Sequence, residues 1–317
     1  MSLPILFLIF NRPDTTAQVM EAIRIARPPR LYVAADGPRP QTGDVELCAR
    51  ARQIATNVNW PCELKTLFRD ENLGCRLSVS GALDWFFEEE EQGIVLEDDC
   101  VPSSTFFPYC RELLERYRND TRIMCISGNN FQRDHQASQY SYYFSRYMHC
   151  WGWASWRRAW KLYDADMHLW PEYRSLNLLR GWGQSEDGFV EYWTNIFDQV
   201  AAGAIDTWDY QWTLTCWMNN GLTCLPKVNL VRNIGFGVGA THTHDANSPF
   251  ARVRAREIEF PLVHPKIISR HVDADSYTHV SVFCPPPPSP LVRLAHVVRS
   301  RMKLRTRFRN ALARLAQ

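Results

Sequence analysis

Several absences narrow the reading of this chain before any motif is considered. Its ten cysteines are scattered and never form a Cys-x-x-Cys pair. That spacing argues against a redox dithiol or a thiolate zinc site, and the thiols read as reduced and mostly buried. No internal repeat is visible. No segment reaches the roughly 20 consecutive apolar residues needed to cross a bilayer. Leu3–Phe10 (LPILFLIF) is apolar but short, lacks a basic leader and runs directly into Asn11-Arg12-Pro13. It therefore reads as a buried first strand and not as an export signal, and the cytoplasm is the expected compartment.

Charge of one sign is lacking overall, since 36 Lys/Arg against 34 Asp/Glu leave a formal +2. The distribution is more telling than the total. Residues 291–317 hold eight Arg/Lys and no acid, so the preceding body carries 28 basic against 34 acidic residues. An acidic body argues against a nucleic-acid partner. What is plentiful is apolar surface, 45% of residues, with 13% aromatics. That composition describes a folded chain with one large core or two fused lobes.

Residues 1–134 alternate apolar runs with helical patterns. Strands are expected at Pro4–Phe10, Leu31–Ala35, Cys62–Phe68, Ile94–Glu97 and Met124–Ser127. Helices are expected at Asp14–Ala26, Val45–Thr56, Leu77–Glu91 and Phe106–Asn119. The alternation implies an α/β fold with a mainly parallel sheet covered on both faces. Ligands of such sheets gather at the carboxyl ends of the strands. Asn11-Arg12, Asp36-Gly37, Arg69–Arg76 and Glu97–Asp99 all fall there, which predicts one shared cleft.

Residues 135–275 differ in character: ten of the twelve tryptophans lie between Trp151 and Trp217. This stretch reads as a second lobe packed on the first. Pro285–Pro290 is a stiff spacer. Leu291–Gln317 reads as a basic helix, suited either to an anionic membrane surface or to solvent and partner contact.

Five clusters could carry chemistry. Ile94–Asp99 (IVLEDD) ends a buried strand in three carboxylates, Glu97, Asp98 and Asp99, a costly arrangement unless a cation or substrate offsets it. Hard oxygen donors favour Mn²⁺ or Mg²⁺ shared with phosphate; the alternative is an acidic surface corner. Arg69 through Arg76, with Asn72 and Gly74, precedes a helix and suits an anionic phosphate, or is an ordinary polar loop. Asp36-Gly37 suits a base or ribose, or is only a turn. Asp209, between Trp208 and Tyr210, is either a general base or a helix N-cap. His242 in Thr241–Asp245 is either a metal ligand or part of a polar loop. Most of the tryptophan rings must be core, with one or two lining a pocket.

Taken in order, these segments resemble GT-A-fold glycosyltransferases, most closely the inverting N-acetylglucosaminyltransferase I type and its bacterial relatives. The carriers are Phe10-Asn11-Arg12-Pro13, Asp36-Gly37, Ile94–Asp99 followed by Phe106-Phe107-Pro108-Tyr109, then Cys150-Trp151-Gly152-Trp153, Trp208-Asp209 and Asn233–Gly237. The resemblance spans Pro4 to His244. It implies that Arg12 and Asp36 meet the nucleotide, that Asp98 meets the ribose or sugar, and that Asp99 ligates Mn²⁺ on the diphosphate. It also implies Asp209 as catalytic base, and it matches His242 to a histidine without fixing its role. A nucleotide-sugar donor and a glycan or lipid-linked acceptor follow. The luminal anchor of the eukaryotic relatives is not matched, and neither are their acceptor residues.

Two other classes compete. A nucleotidyltransferase shares the sheet and the acids but usually has a glycine- and lysine-bearing loop after strand one, unlike Asn11–Asp14. A sugar-binding module would keep the cleft without turnover. A glycoside hydrolase needs carboxylates about 5–9 Å apart on separate elements, which adjacent Asp98 and Asp99 fit poorly.

Overall fold

A strand made only of apolar residues must be covered on both faces. Ile5–Ile9 (β1) is such a strand, buried along its whole length. In the computed structural model, which describes residues 3–40, 43–132, 138–183, 188–237, 245 and 248–284, it starts the main sheet. Pro13–Ala26 (α1) follows, with Pro13 at the first position, where its missing N–H costs no helical bond. Val19, Met20 and Ile23 form its buried stripe. The alternation continues through Arg30–Ala35 (β2), Asp44–Thr56 (α2), Glu63–Phe68 (β3), Gly74–Glu89 (α3) and Gln92–Glu97 (β4). Cys100–Pro102 (β5), Phe106–Arg116 (α4) and Ile123–Ser127 (β6) complete the first half.

The second half contributes Tyr142–Ser145 (β7), Trp153–Trp156 (β8), Arg157–Trp160 (α5), Trp170–Ser175 (α6) and Arg180–Gly183 (α7). After these come Phe189–Ala201 (α8), Asp209–Met218 (α9), Leu222–Pro226 (β9), Val231–Asn233 (β10) and Val272–Thr278 (α10). Its strands β7, β8 and β9 enter the same sheet as β1 to β4. The eight-stranded sheet runs β3-β2-β1-β4-β8-β6-β9-β7, so β8 sits between β4 and β6 and joins the halves through one hydrogen-bonded surface. Pairs β1/β2, β2/β3, β1/β4 and β6/β9 are parallel. Those made by β8 and β7 are antiparallel. The expected mixed α/β fold with a largely parallel, helix-flanked sheet is present.

The tryptophans explain how the second half holds together on short elements. Trp153 stacks on Trp208 with ring centroids 5.5 Å apart, and Trp160 lies 5.2 Å from Trp212. Each ring buries a large area, so four-residue strands are held by side chains where ladder length is small. The unit Met1–Thr278 holds all of this. A second unit, His279–Gln317, is described only to Cys284, where His279–Phe283 forms a π-helical turn. The spacer and the basic segment 291–317 lie outside the described residues. Among the described residues no helix is long and apolar enough to cross a membrane.

Candidate active site

The chain runs outward from β1 through β2 to β3, then returns to place β4 on the other side of β1. The order therefore reverses between β1 and β4, and it is outside the carboxyl ends at such a reversal that open α/β sheets place their ligands. Leaving β1, the chain supplies Phe10, Asn11 and Arg12. Leaving β4, it supplies Glu97, Asp98 and Asp99, and then turns into β5. Of the four segments expected to share one cleft, these two are in direct contact through Arg12, Asp98 and Asp99.

Arg12 is the cation at these strand ends. Its Nη1 lies 2.7 Å from Asp99 Oδ2 and 3.7 Å from Asp98 Oδ1. Burial works against its charge, but the carboxylates outweigh that and raise its pKa. The Phe10 amide donates to Asp98 Oδ2 at 3.1 Å, and the Cys100 thiol donates to Asp99 Oδ1 at 3.3 Å. One guanidinium does not balance the group. Burial first, then Asp99, pushes the Asp98 carboxyl up to about 7. Glu97 rises well above the carboxylate range through burial, Asp99, Asp98 and Asp209. Asp209 is thus close enough for its charge to be felt by Glu97, although it follows it by more than a hundred residues.

Sequence reasoning missed the roof of the site. Ile234 donates its amide to the Asp99 carbonyl at 2.8 Å. A Cβ added to Gly235 would lie 2.0 Å from Asp99 Oδ2, so only glycine fits over that carboxylate. Beside it, the half-buried Trp151 meets Phe236 edge-on at 5.7 Å and Phe250 at 6.4 Å. Trp151 thus lies beside the segment that covers Asp99. Trp208, by contrast, is buried against Trp153.

The expected phosphate loop is arranged differently from the expectation. Helix α3 begins at Gly74, earlier than Leu77, and its first amides already have an acceptor. Cys75 and Arg76 donate to the two carboxylate oxygens of Asp206 at 2.8 and 3.0 Å, an anion supplied by the chain itself. The Arg76 guanidinium pairs with Asp166 at 3.0 Å. Asn72 turns inward, donating to Asp36 Oδ2 and the Gly37 carbonyl at 2.9 Å each. Asp36 Oδ1 accepts from the Leu73 and Gly37 amides at 2.9 Å. Burial raises the Asp36 pKa against the pull of these bonds. Asp36 and Asn72 therefore tie the loop to the end of β2. Arg52, which the sequence did not single out, clamps the same corner by donating to the carbonyls of Asp36 and Arg69. The Arg69 guanidinium lies against Gly81 of α3. Asn11 donates to Asp44 Oδ1 at 2.8 Å, and Arg39 holds Asp44 Oδ2 at 2.7 Å.

Asp209 is the first residue of α9, and Trp208 precedes it as N-cap. The cap alternative for Asp209 thus falls: its carboxylate accepts from the Thr207 hydroxyl, and no side chain caps the helix. Cys75 and Cys150 share this region. Burial, together with Glu97 and Asp209, raises both thiol pKa values, which keeps them protonated and poor as nucleophiles.

Among the described residues no three His, Cys, Asp or Glu converge as a metal cage. The oxygens present suit a different arrangement: a hard divalent cation held by one carboxylate, with phosphate oxygens and water completing its shell. The crowding that lifts Glu97 and Asp98 is the kind a cation relieves. His242, the other expected ligand, lies outside the described residues.

No protein-family model matches the chain, and no curated protein matches it either. Solved structures offer distant likenesses. The mannosyltransferase PcManGT from Pyrobaculum calidifontis, in complex with GDP-Man and Mn²⁺, is 9% identical and is aligned over 68% of this chain and 70% of its own, with a TM-score of 0.37. HddC from Yersinia pseudotuberculosis is 11% identical over 49% of this chain and 77% of its own, with a TM-score of 0.30. Its complex with GMP-PN matches at 10% identity and a TM-score of 0.30. At this distance the likenesses say nothing about substrate or chemistry.

Proposed function

We propose that this chain is a metal-dependent, inverting glycosyltransferase that moves a sugar from a nucleotide-sugar, of the UDP type, to a hydroxyl of a glycan or lipid-linked saccharide. The observation that carries the reading is the electrostatic unit at the β1/β4 switch point. Arg12, Asp98 and Asp99 meet there, with Glu97 beside them and Asp209 near enough to act on Glu97. The likeness to the N-acetylglucosaminyltransferase I type, drawn from motif order, belongs to the same proposal.

In this reading Asp98 orients ribose or sugar hydroxyls, and Arg12 leans from the acid pair toward the diphosphate. Asp36, Asn72 and Arg69 shape the wall on the nucleotide side. Asp99 would hold Mn²⁺ or Mg²⁺, which when bound supplies positive charge to the leaving diphosphate. Asp209 takes the proton from the acceptor hydroxyl as that oxygen bonds to the anomeric carbon. The bond from that carbon to the diphosphate oxygen breaks on the opposite side, and the nucleoside diphosphate leaves with the electron pair.

General-base assistance is worth about 10²–10⁴-fold. Asp209→Asn should therefore lower turnover by that factor while UDP binding with Mn²⁺, read by calorimetry, stays within twofold. Unchanged turnover would remove Asp209 from the mechanism. A panel of nucleotide-sugars screened by thermal shift with and without Mn²⁺ identifies the donor. Absence of nucleoside diphosphate release with any donor and acceptor would favour a binding module.

A further inference from the structure

A second concavity lies at the opposite end of the same strands, and nothing in the transfer chemistry uses it. It is about 360 Å³ in volume, at the size where small-molecule sites begin. Its floor is Ile5 and Ile94, which face each other where β1 and β4 pair at their amino ends. One wall is the last part of α1, with Ala22 and Ile25, and the other is the start of α4, with Phe107.

Two features say what would fill it. Ile25 stands at the rim 70% exposed, a large aliphatic side chain left in water beside an apolar hollow. Arg111 is the one charged residue of the described lining, and it has no hydrogen bond or ion pair to any described residue. The amides at the start of α4 do not compete for an anion, because Ser104 and Thr105 donate to Glu257 at 3.2 and 2.9 Å. Apolar walls with a single cation at the mouth complement an apolar chain carrying one anionic head. A purely apolar partner would leave Arg111 unused, and a polar metabolite would leave the walls unused.

We propose that this cavity binds a single-chain amphiphile with an anionic head, a long-chain carboxylate or alkyl phosphate, with its chain against Ala22, Ile25 and Phe107 and its head on Arg111. The test is calorimetric titration of the full chain, below micelle concentration, with laurate, dodecyl phosphate and uncharged dodecanol. Saturable binding of one laurate or dodecyl phosphate per chain is expected, and the stronger of the two names the head group. Arg111→Glu should weaken the anionic ligand at least tenfold and dodecanol less than threefold. Ala22→Trp, which fills the cavity, should abolish binding of all three. No saturable binding, or an equal effect of Arg111→Glu on laurate and dodecanol, would overturn the proposal. Should Ala22→Trp fail to fold, the Arg111→Glu ratio decides alone.

Discussion

Asp98→Asn is expected to stabilise the ligand-free protein at neutral and alkaline pH while harming its function. The Asp98 carboxyl is 6% exposed and pushed up to about 7 by burial and Asp99, against about 3.9 for a free aspartate. Between those two values the folded state holds a proton that the unfolded chain has released. Stability from this group is therefore fully present below about pH 4 and is lost as pH rises through about 7. At about 1.36 kcal/mol per unit, the loss approaches roughly 4 kcal/mol. Asparagine cannot ionise, so it escapes that loss, and its carbonyl still accepts from the Phe10 amide. Two neighbours adjust the figure. Glu97 is relieved of one repulsive charge, which adds to the gain. Arg12 loses its 3.7 Å partner but keeps Asp99 at 2.7 Å, which subtracts from it. A net gain of about 2–4 kcal/mol at pH 8, shrinking toward zero near pH 4, follows. Urea unfolding of both proteins across that range measures it. A difference that fails to grow with pH, or a variant less stable than wild type at pH 8, would refute the reasoning.

Three further outcomes follow from local geometry. In Gly37→Ala the new Cβ would lie 2.3 Å from the Glu71 carbonyl carbon, in backbone that cannot swing aside. A loss of about 1–3 kcal/mol, seen as a drop of several degrees in Tm by calorimetry, is expected, and an unchanged Tm would contradict it. Asp206→Ala removes the acceptor of the Cys75 and Arg76 amides. It should cost about 1 kcal/mol in urea unfolding and leave the α3 N-terminus open, so that inorganic phosphate raises its Tm more than that of wild type. Gly235→Ala drives a methyl into Asp99 Oδ2 and should weaken Mn²⁺-dependent UDP binding at least tenfold by titration calorimetry; unaltered affinity would take Asp99 out of the donor site.

What could be read from the chain divides by the range of the interaction. Strands β1, β2 and β4 announce themselves in apolar runs, and Asp98 and Asp99 stand directly after one of them. Their position at a strand end is therefore a local fact. The partners of Arg76 are not local. Its amide meets Asp206, 130 residues away, and its guanidinium meets Asp166, 90 residues away. No pattern near Arg69–Arg76 hints that carboxylates from the second half take the places expected for phosphate. Trp153–Trp156 is too short to display a strand period, so β8 was hidden among tryptophans, and with it the single sheet. Gly235 over Asp99 belongs to the same class: the glycine was visible, but the carboxylate beneath it was not.

Those long-range acids also bear on what the donor must bring. Among the described residues, Glu97, Asp98 and Asp99, with Asp209 acting on Glu97, face the guanidinium of Arg12. A nucleoside diphosphate adds further negative charge. The usual ways for a protein to receive it, helix amides and arginine, are largely engaged within the chain, since Asp206 holds the α3 amides and Asp166 holds Arg76. Protonation of Glu97 and Asp98 relieves repulsion among the acids, but it supplies no positive charge to a leaving group. Arg69, near enough to lower the pKa of Asp36, lies on the nucleotide side and offers only one more charge. In the proposed reaction a divalent cation held by Asp99 would supply the missing positive charge, and Arg12 would then be available to phosphate. Under the proposed function, the ion pair between Arg12 and Asp99 would be the resting state of a site that exchanges one cation for another when the donor binds.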